Sequence, residues 1–558
     1  MAKIKISSLT YTYPEKEEPA LKDIDLEIKE GEFVLLIGEN GSGKSSLLRA
    51  IAGIIPDFYR GDYKGEVYID NLKVRKMKPK EKAGKIGFLG QDPESQIFMT
   101  KVEKELVFGM ENILLPLPVM RRRVAETAAF LNLGEYIHES VDKLSGGMKQ
   151  RLALAAVMAM QPEVLLLDEP TSQLDPASAE EIFNILKRLN EENGITVVLA
   201  EQRLERCLHL ADRIIVMDEG KISYISSDKN EWGAWMAENK AFLLPPLLKL
   251  FSRLPFEKIP FTVKEGRSLI ADLPIKCVFL KEMGIRGKNA CSPVLEMDKV
   301  WFTYSGGREV LKNISLKVFP GEFWAVFGEN GAGKTTLLKN IAGLLKPQRG
   351  RICIKGENIQ FMKASEIARK AGYLPQNPDD YLFLPTVEEE ILFSLENTEN
   401  KEEKTSQLIE KFNLEPYAAV NPRDLSMGER QKTALASILA LNPDLLLLDE
   451  PTRGLDYLAK EDLGKCLKML CRESKSILMV SHDIEFAAEY ADKVLIMFEG
   501  EIAAAGSKYE IMNNALFYSP QINRLLSGRV DRVVTLEEGD KVIRAFLEDK
   551  EEKKFSGG

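Results

Sequence analysis

GENGSGKS, at residues 38–45, is repeated with two substitutions as GENGAGKT at residues 328–335. Both stretches fit the pattern G-x-x-x-x-G-K-[ST], a glycine-rich loop whose backbone N–H groups surround phosphate oxygens. An apolar run precedes each copy, at residues 33–37 and 323–327, and a leucine pair follows it. This order predicts a strand, a phosphate-binding loop and a helix whose N-terminus adds positive potential. We therefore expect a phosphate-binding site in each half of the chain.

The lysine and hydroxyl residues at the end of each loop would hold phosphate and metal. Lys44 and Lys334 would reach the β- and γ-phosphates of a nucleotide, and Ser45 and Thr335 would ligate Mg²⁺. The other loop residues expected at the nucleotide are Gly38, Asn40, Gly41, Gly43, Ser46, Gly328, Asn330, Gly331, Gly333 and Thr336.

Length and charge limit the classes of protein to consider. At 558 residues the chain is too long for one core, so we expect at least two domains. The net charge of −9 argues against a general nucleic-acid binder. No apolar run approaches the roughly 18–20 residues that a membrane helix needs. The first residues lack the apolar core of a signal peptide, so we expect a cytoplasmic protein.

The chain is a tandem duplication, because later landmarks repeat at nearly the same offset. LSGG at 144–147 matches LSMG at 425–428, and VLLLDEPT at 164–171 matches LLLLDEPT at 445–452. The expected division is a first nucleotide-binding domain at 1–230, an appendage and linker at 231–290, a second domain at 291–508, and an appendage with a charged tail at 509–558. The linker is placed near 287–290, a polar stretch. The first appendage would either hold the halves together or cover its own domain.

Alternating patterns within each half predict an α/β fold. Unbroken apolar runs at 164–167 and 445–448 end in acidic residues and are typical of buried parallel strands. Amphipathic stretches such as 176–189 are typical of covering helices. We expect a mostly parallel sheet flanked by helices, with the phosphate sites at the carboxyl ends of its strands.

The order of phosphate-binding loop, glutamine loop, LSGG signature and acidic strand resembles the ATPase subunits of ATP-binding-cassette (ABC) proteins. The resemblance covers nearly the whole chain, and the signature separates this family from most other ATPases with the same loop. It implies two ABC ATPase domains, each with an antiparallel subdomain and a helical signature subdomain. It also implies ATP and Mg²⁺ as cofactors and ATP hydrolysis as the activity.

An acidic pair ends the strand beside each loop. Asp168 and Asp449 can hold the Mg²⁺ shell, because a hard cation prefers oxygen ligands. Glu169 and Glu450 resemble the general base of the family, which polarises the water that attacks the γ-phosphate.

The resemblance also gives each site a glutamine and an aromatic residue. Gln91 and Gln376 resemble the glutamines that contact Mg²⁺ or the attacking water and couple the site to a membrane partner. Tyr13 and Tyr304 resemble the aromatic residue that stacks on adenine. Tyr11 remains a rival for that role in the first half.

In this family ATP lies between two domains, and one domain supplies the loop while the other supplies the signature. The signature residues concerned are Ser145, Gly146, Gly147, Ser426 and Gly428. We expect each signature to open a helix, so that its N–H groups can meet the γ-phosphate. The signature at 144–147 would then serve the ATP on Lys334, and the signature at 425–428 the ATP on Lys44.

Two departures from the family pattern fall in one of these composite sites. The switch histidine of the family is present as His482, but Gln202 stands in its place in the first half. Met427 replaces a signature glycine and adds bulk where backbone would approach phosphate. Because the pairing is crossed, both changes belong to the Lys44 site, and we predict that the Lys334 site hydrolyses ATP faster. The alternative is that both changes are neutral.

The residues after each glutamine loop resemble those of the ATPases of energy-coupling factor (ECF) importers. They read QDPESQIF at 91–98 and QNPDDYLF at 376–383. The resemblance implies two membrane partners, an energy-coupling subunit and a substrate-binding subunit, and places this chain peripherally at the cytoplasmic face of the cell membrane. The transported substrate would be a vitamin, a vitamin precursor or a cobalt or nickel ion. The expected apolar anchors for the partner are Phe98, Met99, Tyr381 and Phe383, unless they pack internally.

Two other interpretations stay open. Tandem ABC proteins that act on ribosomes usually carry a long charged helical linker, whereas the segment at 242–248 is apolar and proline-containing. A tandem sugar-importer ATPase does not usually have the glutamine-loop surroundings quoted above.

Overall fold

The computed structural model describes residues 2–14, 16–92, 94–172, 174–273, 292–305, 307, 309–395, 400–513 and 515–555. These residues divide into two compact units, Met1–Thr262 and Val263–Gly558. The linker expected at 287–290 lies outside the described residues.

Strands and helices alternate in the first unit. Its strands are β1 (Ala2–Thr12), β2 (Leu21–Lys29), β3 (Phe33–Ile37), β4 (Asp62–Ile69), β5 (Leu72–Lys73), β6 (Ile86–Leu89), β7 (Val164–Asp168), β8 (Thr196–Ala200), β9 (Arg213–Asp218) and β10 (Lys221–Ser226). Its helices are α1 (Lys44–Ile51), α2 (Pro79–Lys85), α3 (Val102–Asn112), α4 (Leu117–Phe130), α5 (Gly146–Ala159), α6 (Pro176–Asn193), α7 (Leu204–Cys207), α8 (Lys229–Asn239) and α9 (Pro246–Phe251).

The second unit begins with one extra helix and then repeats the series. Its strands are β11 (Leu295–Thr303), β12 (Glu309–Val318), β13 (Phe323–Gly328), β14 (Arg349–Ile354), β15 (Glu357–Asn358), β16 (Ala371–Leu374), β17 (Leu445–Asp449), β18 (Ser476–Val480), β19 (Lys493–Phe498) and β20 (Glu501–Ser507). Its helices are α10 (Val263–Leu269), α11 (Lys334–Ile341), α12 (Ala364–Lys370), α13 (Val387–Ser394), α14 (Lys401–Lys411), α15 (Met427–Ala440), α16 (Tyr457–Arg472), α17 (Ile484–Tyr490), α18 (Lys508–Met512), α19 (Gln521–Leu526) and α20 (Leu536–Phe555).

Each unit contains two sheets with the same strand order. The main sheet runs β6-β7-β8-β3-β9-β10 in the first unit and β16-β17-β18-β13-β19-β20 in the second. Its strands are parallel except for the last, which pairs antiparallel. The smaller antiparallel sheets are β2-β1-β4-β5 and β12-β11-β14-β15. Helices α3, α4 and α5 pack together beside the first main sheet. The predicted α/β fold with its antiparallel and helical subdomains is confirmed.

The register of the main sheet brings the functional segments to one edge. In the first unit both Leu36 on β3 and Asp168 on β7 pair with Ala200, the last residue of β8. The second unit repeats this register. Because parallel strands end together, the loop after β3, the acidic pair after β7 and the turn after β8 lie side by side.

Apolar residues fill the space between the two sheets of each unit. In the first unit Ile4 from the small sheet, Leu48 from α1 and Leu166 from the main sheet belong to one buried cluster. The second unit has the matching cluster, and a further one covers the opposite face of its main sheet. Burial of each such aliphatic side chain contributes about 1.5–3 kcal/mol, which holds the strand ends at fixed positions.

The segment after the first domain is divided between the two units. Helices α8 and α9 belong to the first unit, but α10 belongs to the second and packs against α19. Arg267 donates through Nε to the carbonyl oxygen of Arg524 at 3.0 Å, and Arg529 donates to the carbonyl oxygen of Ile270 at 2.7 Å. No helix in the described part of the chain is long and apolar enough to cross a membrane.

Candidate functional site

Each glycine-rich loop closes around its own lysine. Lys44 Nζ donates to the carbonyl oxygens of Gly38 and Glu39, both at 2.8 Å. Lys334 makes the same two contacts in the second loop, at 2.8 and 2.9 Å. Both ammonium groups are buried, so the loop backbone holds a positive charge at the N-terminus of the following helix.

Backbone geometry explains the glycine that ends each loop. Gly43 and Gly333 cap α1 and α11 with φ of 100° and 99°, a left-handed conformation that side chains rarely adopt. A Cβ atom at Gly333 would stand 2.8 Å from the carbonyl oxygen of Val310. Gly331 also has positive φ, of 87°, but a Cβ there meets no described atom within 4 Å. The last glycine of the loop is therefore required by close packing as well as by backbone conformation.

The second unit contains a cavity of about 370 Å³ above its loop. Its walls are formed by Tyr304, Val310, Asn330, Gly331, Gly333, Lys334, Thr335, Thr336, Gln376, Asp449, Glu450, Val480 and His482. All of these except Val310 and Val480 are residues that the sequence predicts for the Lys334 site. The fold therefore brings the loop, the glutamine, the acidic pair, the histidine and the aromatic residue to one cavity.

The first residue of each acidic pair lies beside the loop hydroxyl. Burial raises the pKa of Asp449, and a hydrogen bond with Thr335 opposes that rise. Asp168 has the same surroundings, with Ser45 as its hydrogen-bond partner. A carboxylate and a hydroxyl oxygen suit Mg²⁺, which keeps several other ligands as water or phosphate oxygens. The described residues contain no group of three or more histidine, cysteine or acidic side chains placed to bind a metal.

The second glutamate of the pair meets the histidine in the second unit. The backbone N–H of His482 donates to Glu450 Oε2 at 3.2 Å, and His482 Nε2 lies 3.4 Å from Glu450 Oε1. Both side chains are buried. Glu450 has φ of 52° and Glu169, its counterpart, 49°. Residues other than glycine seldom adopt this backbone conformation unless the surroundings enforce it, and such strained residues often occur at functional positions.

Amide groups surround the matching glutamate in the first unit. Gln202 Nε2 donates to Glu169 Oε1 at 2.6 Å and to Asn40 Oδ1 at 2.7 Å. Gln91 Nε2 donates to the other oxygen, Glu169 Oε2, at 3.1 Å. Burial, followed by the nearby charge of Glu201, raises the pKa of Glu169 to about 7. The first site therefore also assembles its predicted residues, with an amide where the second has an imidazole.

Burial distinguishes the two tyrosines that compete for adenine in the first half. Tyr11 is completely buried, and its hydroxyl donates to a backbone carbonyl. Tyr13 is half-buried, and its hydroxyl lies 3.1 Å from Ser46 Oγ. Tyr304 occupies the same place in the second unit, 44% exposed and 3.2 Å from Thr336 Oγ1. Access to solvent thus favours Tyr13 over Tyr11.

Both signatures open helices, as predicted. Ser145 caps α5 and Ser426 caps α15, and each side chain accepts a hydrogen bond from a backbone N–H of the first turn at 3.4 Å. Ser145 and Ser426 are exposed. A Cβ atom at Gly146 would have no described atom within 4 Å. Met427, at the matching position of the second unit, packs partly buried against the core of that unit.

Two of the four expected partner anchors are exposed. Phe98 and Phe383 are 71% and 62% exposed. Met99 is half-buried, and Tyr381 packs half-buried against the core of the second unit. Tyr381 therefore fits the alternative interpretation, internal packing, better than the role of a partner anchor.

Sequence analysis missed a buried carboxylate behind each exposed phenylalanine. Glu105 Oε2 accepts hydrogen bonds from the backbone N–H groups of Phe98 and Met99, at 3.0 and 2.8 Å. Glu390 does the same in the second unit, at 2.9 and 2.7 Å. Burial raises the pKa of Glu105, and the two N–H donors oppose that rise. A repeated acidic residue seven positions after each phenylalanine is the signal that could have identified these anchors.

Comparison with known proteins places the same segments in one family. A family model described as ABC transporter matches residues 21–172 and 311–453. A protein of Clostridium tetani, provisionally named an ABC transporter ATP-binding protein, is 42% identical over 77% of this chain and 96% of its own. A Bacillus cereus protein with the same provisional name is 36% identical over 96% of this chain and 97% of its own. The solved structure of cbiO1 from Clostridium perfringens, described as part of the ABC transporter complex cbiONQ, aligns with 39% of this chain and 90% of its own, at 30% identity and a TM-score of 0.37. Each range that the family model matches contains one glycine-rich loop and one acidic pair.

Proposed function

This chain belongs to the ABC transporter family as an ATPase with two ATP-binding domains in tandem, and from that premise we propose that it is the energy-coupling subunit of an ECF-type membrane importer. The importer would take up a vitamin, a vitamin precursor or a cobalt or nickel ion. The observation that carries the ATPase part is the cavity of the second unit, which gathers Lys334, Glu450 and His482 around one space.

The side chains of this cavity have separate roles in hydrolysis. Lys334 and the N-terminus of α11 bind the phosphates, and Tyr304 stacks on the base. Thr335 and Asp449 would hold Mg²⁺, which would supply positive charge to the phosphate oxygens. Glu450 accepts a proton from the attacking water.

His482 and Gln376 complete the arrangement around the water. The imidazole of His482 lies 3.4 Å from the carboxylate of Glu450 and fixes its direction. Gln376 lines the same cavity and would contact the metal or the water. The role of these groups is to orient one water molecule in line with the γ-phosphate, which is most of what a phosphoryl-transfer enzyme has to do.

The two sites differ in how the general base is held. In the first site both oxygens of Glu169 accept hydrogen bonds from amides, of Gln91 and Gln202. An amide cannot take up a proton near neutral pH as an imidazole can. The crossed pairing that the family resemblance implies would add Met427 to this site and the LSGG signature to the other. The Lys334 site is therefore the faster one.

Two matched substitutions test the ATPase and its asymmetry. Glu450→Gln and, separately, Glu169→Gln are introduced into the full chain, and Mg²⁺-dependent phosphate release is measured. We expect Glu450→Gln to lower the rate on the order of 10²-fold, the contribution of a general base, and Glu169→Gln to leave it within about twofold, because the slower site supplies little of the total. Equal losses would contradict the asymmetry, and an unmodified chain without ATPase activity would contradict the site itself.

The exposed phenylalanines support the coupling role. Phe98 and Phe383 follow the glutamine loops, project into solvent and are fixed at their backbone by Glu105 and Glu390. Exposed aromatic side chains held on a rigid loop are suited to an apolar partner helix. A partner helix bound at these side chains would lie next to the glutamine loop, and this loop would connect the partner to the nucleotide.

Purification from native membranes tests this coupling. We expect a polytopic membrane protein to accompany the tagged chain and to be lost in the Phe98→Ser, Phe383→Ser double variant. Leu516→Ser is the control, because Leu516 is an 80% exposed apolar residue of the appendage. Retention of the partner by the double variant would contradict docking at Phe98 and Phe383, and co-sedimentation with ribosomes in membrane-free lysate would favour the translation role.

A further inference from the structure

Glu201 occupies the position in the first unit that Ser481 occupies in the second. Glu201 follows β8 and precedes Gln202, just as Ser481 follows β18 and precedes His482. Both residues are buried, with 2% and 0% of their surface exposed. A carboxylate is far more costly to bury than a hydroxyl unless hydrogen bonds surround it. The buried carboxylate of Glu201, next to Gln202, must therefore be stabilised by its surroundings.

Three donors surround the carboxylate of Glu201. Thr171 Oγ1 donates to Oε2 at 2.7 Å. The backbone N–H groups of Gln202 and Arg203 donate to Oε1 at 2.9 and 3.3 Å. The turn after β8 is thus folded around its own first side chain, and this fixes the backbone from which the Gln202 side chain extends.

The same backbone has a different partner in the second unit. There the N–H of His482 donates to Glu450 Oε2 at 3.2 Å, and the hydroxyl of Ser481 accepts from the N–H of Asp483 at 3.0 Å. The serine hydroxyl is thus used by the N–H two residues later. The N–H that contacts the general base in one unit contacts Glu201 in the other.

We infer that Glu201 is a positioning residue, which draws the N–H of Gln202 away from Glu169 and aims the Gln202 amide at Glu169 and Asn40. The inference deepens the proposed function of the Lys44 site and rests on it. The amide bridges Glu169 Oε1 at 2.6 Å and Asn40 Oδ1 at 2.7 Å, so it connects the general base to the phosphate loop. Glu201 and Gln202 therefore act as one unit, and exchange of the glutamine alone does not restore the geometry of the second site.

A double-mutant cycle in the full chain tests this coupling. Single-turnover hydrolysis of bound ATP is measured in a Glu450→Gln background, which leaves the Lys44 site as the source of hydrolysis. The cycle compares Gln202→His, Glu201→Ser and the pair. We expect the pair to accelerate hydrolysis at least about threefold beyond the product of the single effects, because residues in contact couple. The Kd for ATP, measured separately by equilibrium titration, should stay the same, since the pair acts on the general base rather than on binding.

The second unit offers the reciprocal cycle. Ser481→Glu, His482→Gln and their pair are compared in a Glu169→Gln background. We expect the fold loss in hydrolysis rate of the pair to be smaller than the product of the two single fold losses. Thermal denaturation confirms that each variant folds. If Glu201→Ser does not fold, Glu201→Gln replaces it in the cycle, with coupling expected in the same direction.

Several results would overturn the inference. These are strictly multiplicative single effects, full acceleration by Gln202→His alone, or no hydrolysis by any variant of the first cycle. Failure of the proposed function looks different, because the unmodified chain would then hydrolyse no ATP. An active unmodified chain with multiplicative effects removes only the role of Glu201.

Discussion

Replacing Glu390 with alanine removes one carboxylate oxygen that accepts two neighbouring backbone N–H groups, those of Phe383 and Leu384, at 2.9 and 2.7 Å. Glu390 is 2% exposed, whereas Phe383 is 62% exposed. The substitution therefore releases the loop that presents the phenylalanine without changing the phenylalanine. We expect the loop to open more often while the rest of the unit stays folded.

The size of the effect follows from the two hydrogen bonds. A hydrogen bond to a charged group contributes about 1.5–3 kcal/mol. The loop is partly open to water, and water can hydrogen-bond to the released N–H groups and recover part of this free energy. We therefore take the lower value for each bond, which gives about 3 kcal/mol for the two together. At about 1.4 kcal/mol per factor of ten, opening becomes on the order of 10²-fold more frequent. Glu390→Gln keeps one acceptor oxygen without the charge, so its expected effect is about 1 kcal/mol, or roughly fivefold.

Amide hydrogen exchange measures this opening directly. In the full chain, the peptide that spans residues 381–385 should exchange about 10²-fold faster in Glu390→Ala and roughly fivefold faster in Glu390→Gln. Glu389→Ala is the matched control, because the neighbouring Glu389 is exposed, and it should leave the exchange rate unchanged. An effect below about threefold in Glu390→Ala, or an equal effect in Glu389→Ala, would refute the anchoring role.

Gly333→Ala places a methyl group 2.8 Å from a backbone carbonyl oxygen, whereas Gly331→Ala, also at positive φ, has no described atom within 4 Å. Calorimetry should show that backbone strain lowers the free energy of unfolding by about 1–2 kcal/mol in both variants, and that Gly333→Ala loses about 1–3 kcal/mol more. Equal losses in the two variants would contradict the steric reason. Tyr13→Ala should weaken ATP affinity roughly tenfold through lost stacking, measured by titration with the second site disabled, while Tyr11→Phe should leave it within about twofold. Arg529→Ala removes a 2.7 Å hydrogen bond to the carbonyl end of the α10 segment, so limited proteolysis within α10 should accelerate about fivefold; unchanged cleavage would show that apolar packing alone holds this helix.

Local patterns were sufficient to predict the frame of both sites. The apolar runs of β3 and β7, the glycine-rich loop and the acidic pair each lie within a few residues of sequence, and parallel pairing then brings their ends together. The same reasoning could not separate Tyr11 from Tyr13. They differ by two positions, so strand alternation assigns them to the same face, and β1 ends between them at Thr12.

Residues that act through long-range contacts were not predictable in this way. A carboxylate on a helix, such as Glu390, is normally interpreted as part of a solvated face. Its repeat at the same spacing in both halves marks the position, but only the fold shows that a loop folds back over it. The exchange of serine for Glu201 is visible in the sequence, but its burial and its bond with Thr171 are not. The assignment of α10 to the second unit depends on the surface of α19, which no pattern in residues 263–269 encodes.

The membership of α10 in the second unit determines where the gene can be cut to produce the halves as separate fragments. A fragment that begins at residue 291, the predicted start of the second domain, would be made without the helix that packs on α19 and without the two arginine contacts that fix it. A fragment that begins at Val263 carries this covering with it. The helix encoded with the first copy of the repeat thus serves as a structural part of the second, so the boundary of the repeat and the boundary between the two compact units are different places in the chain.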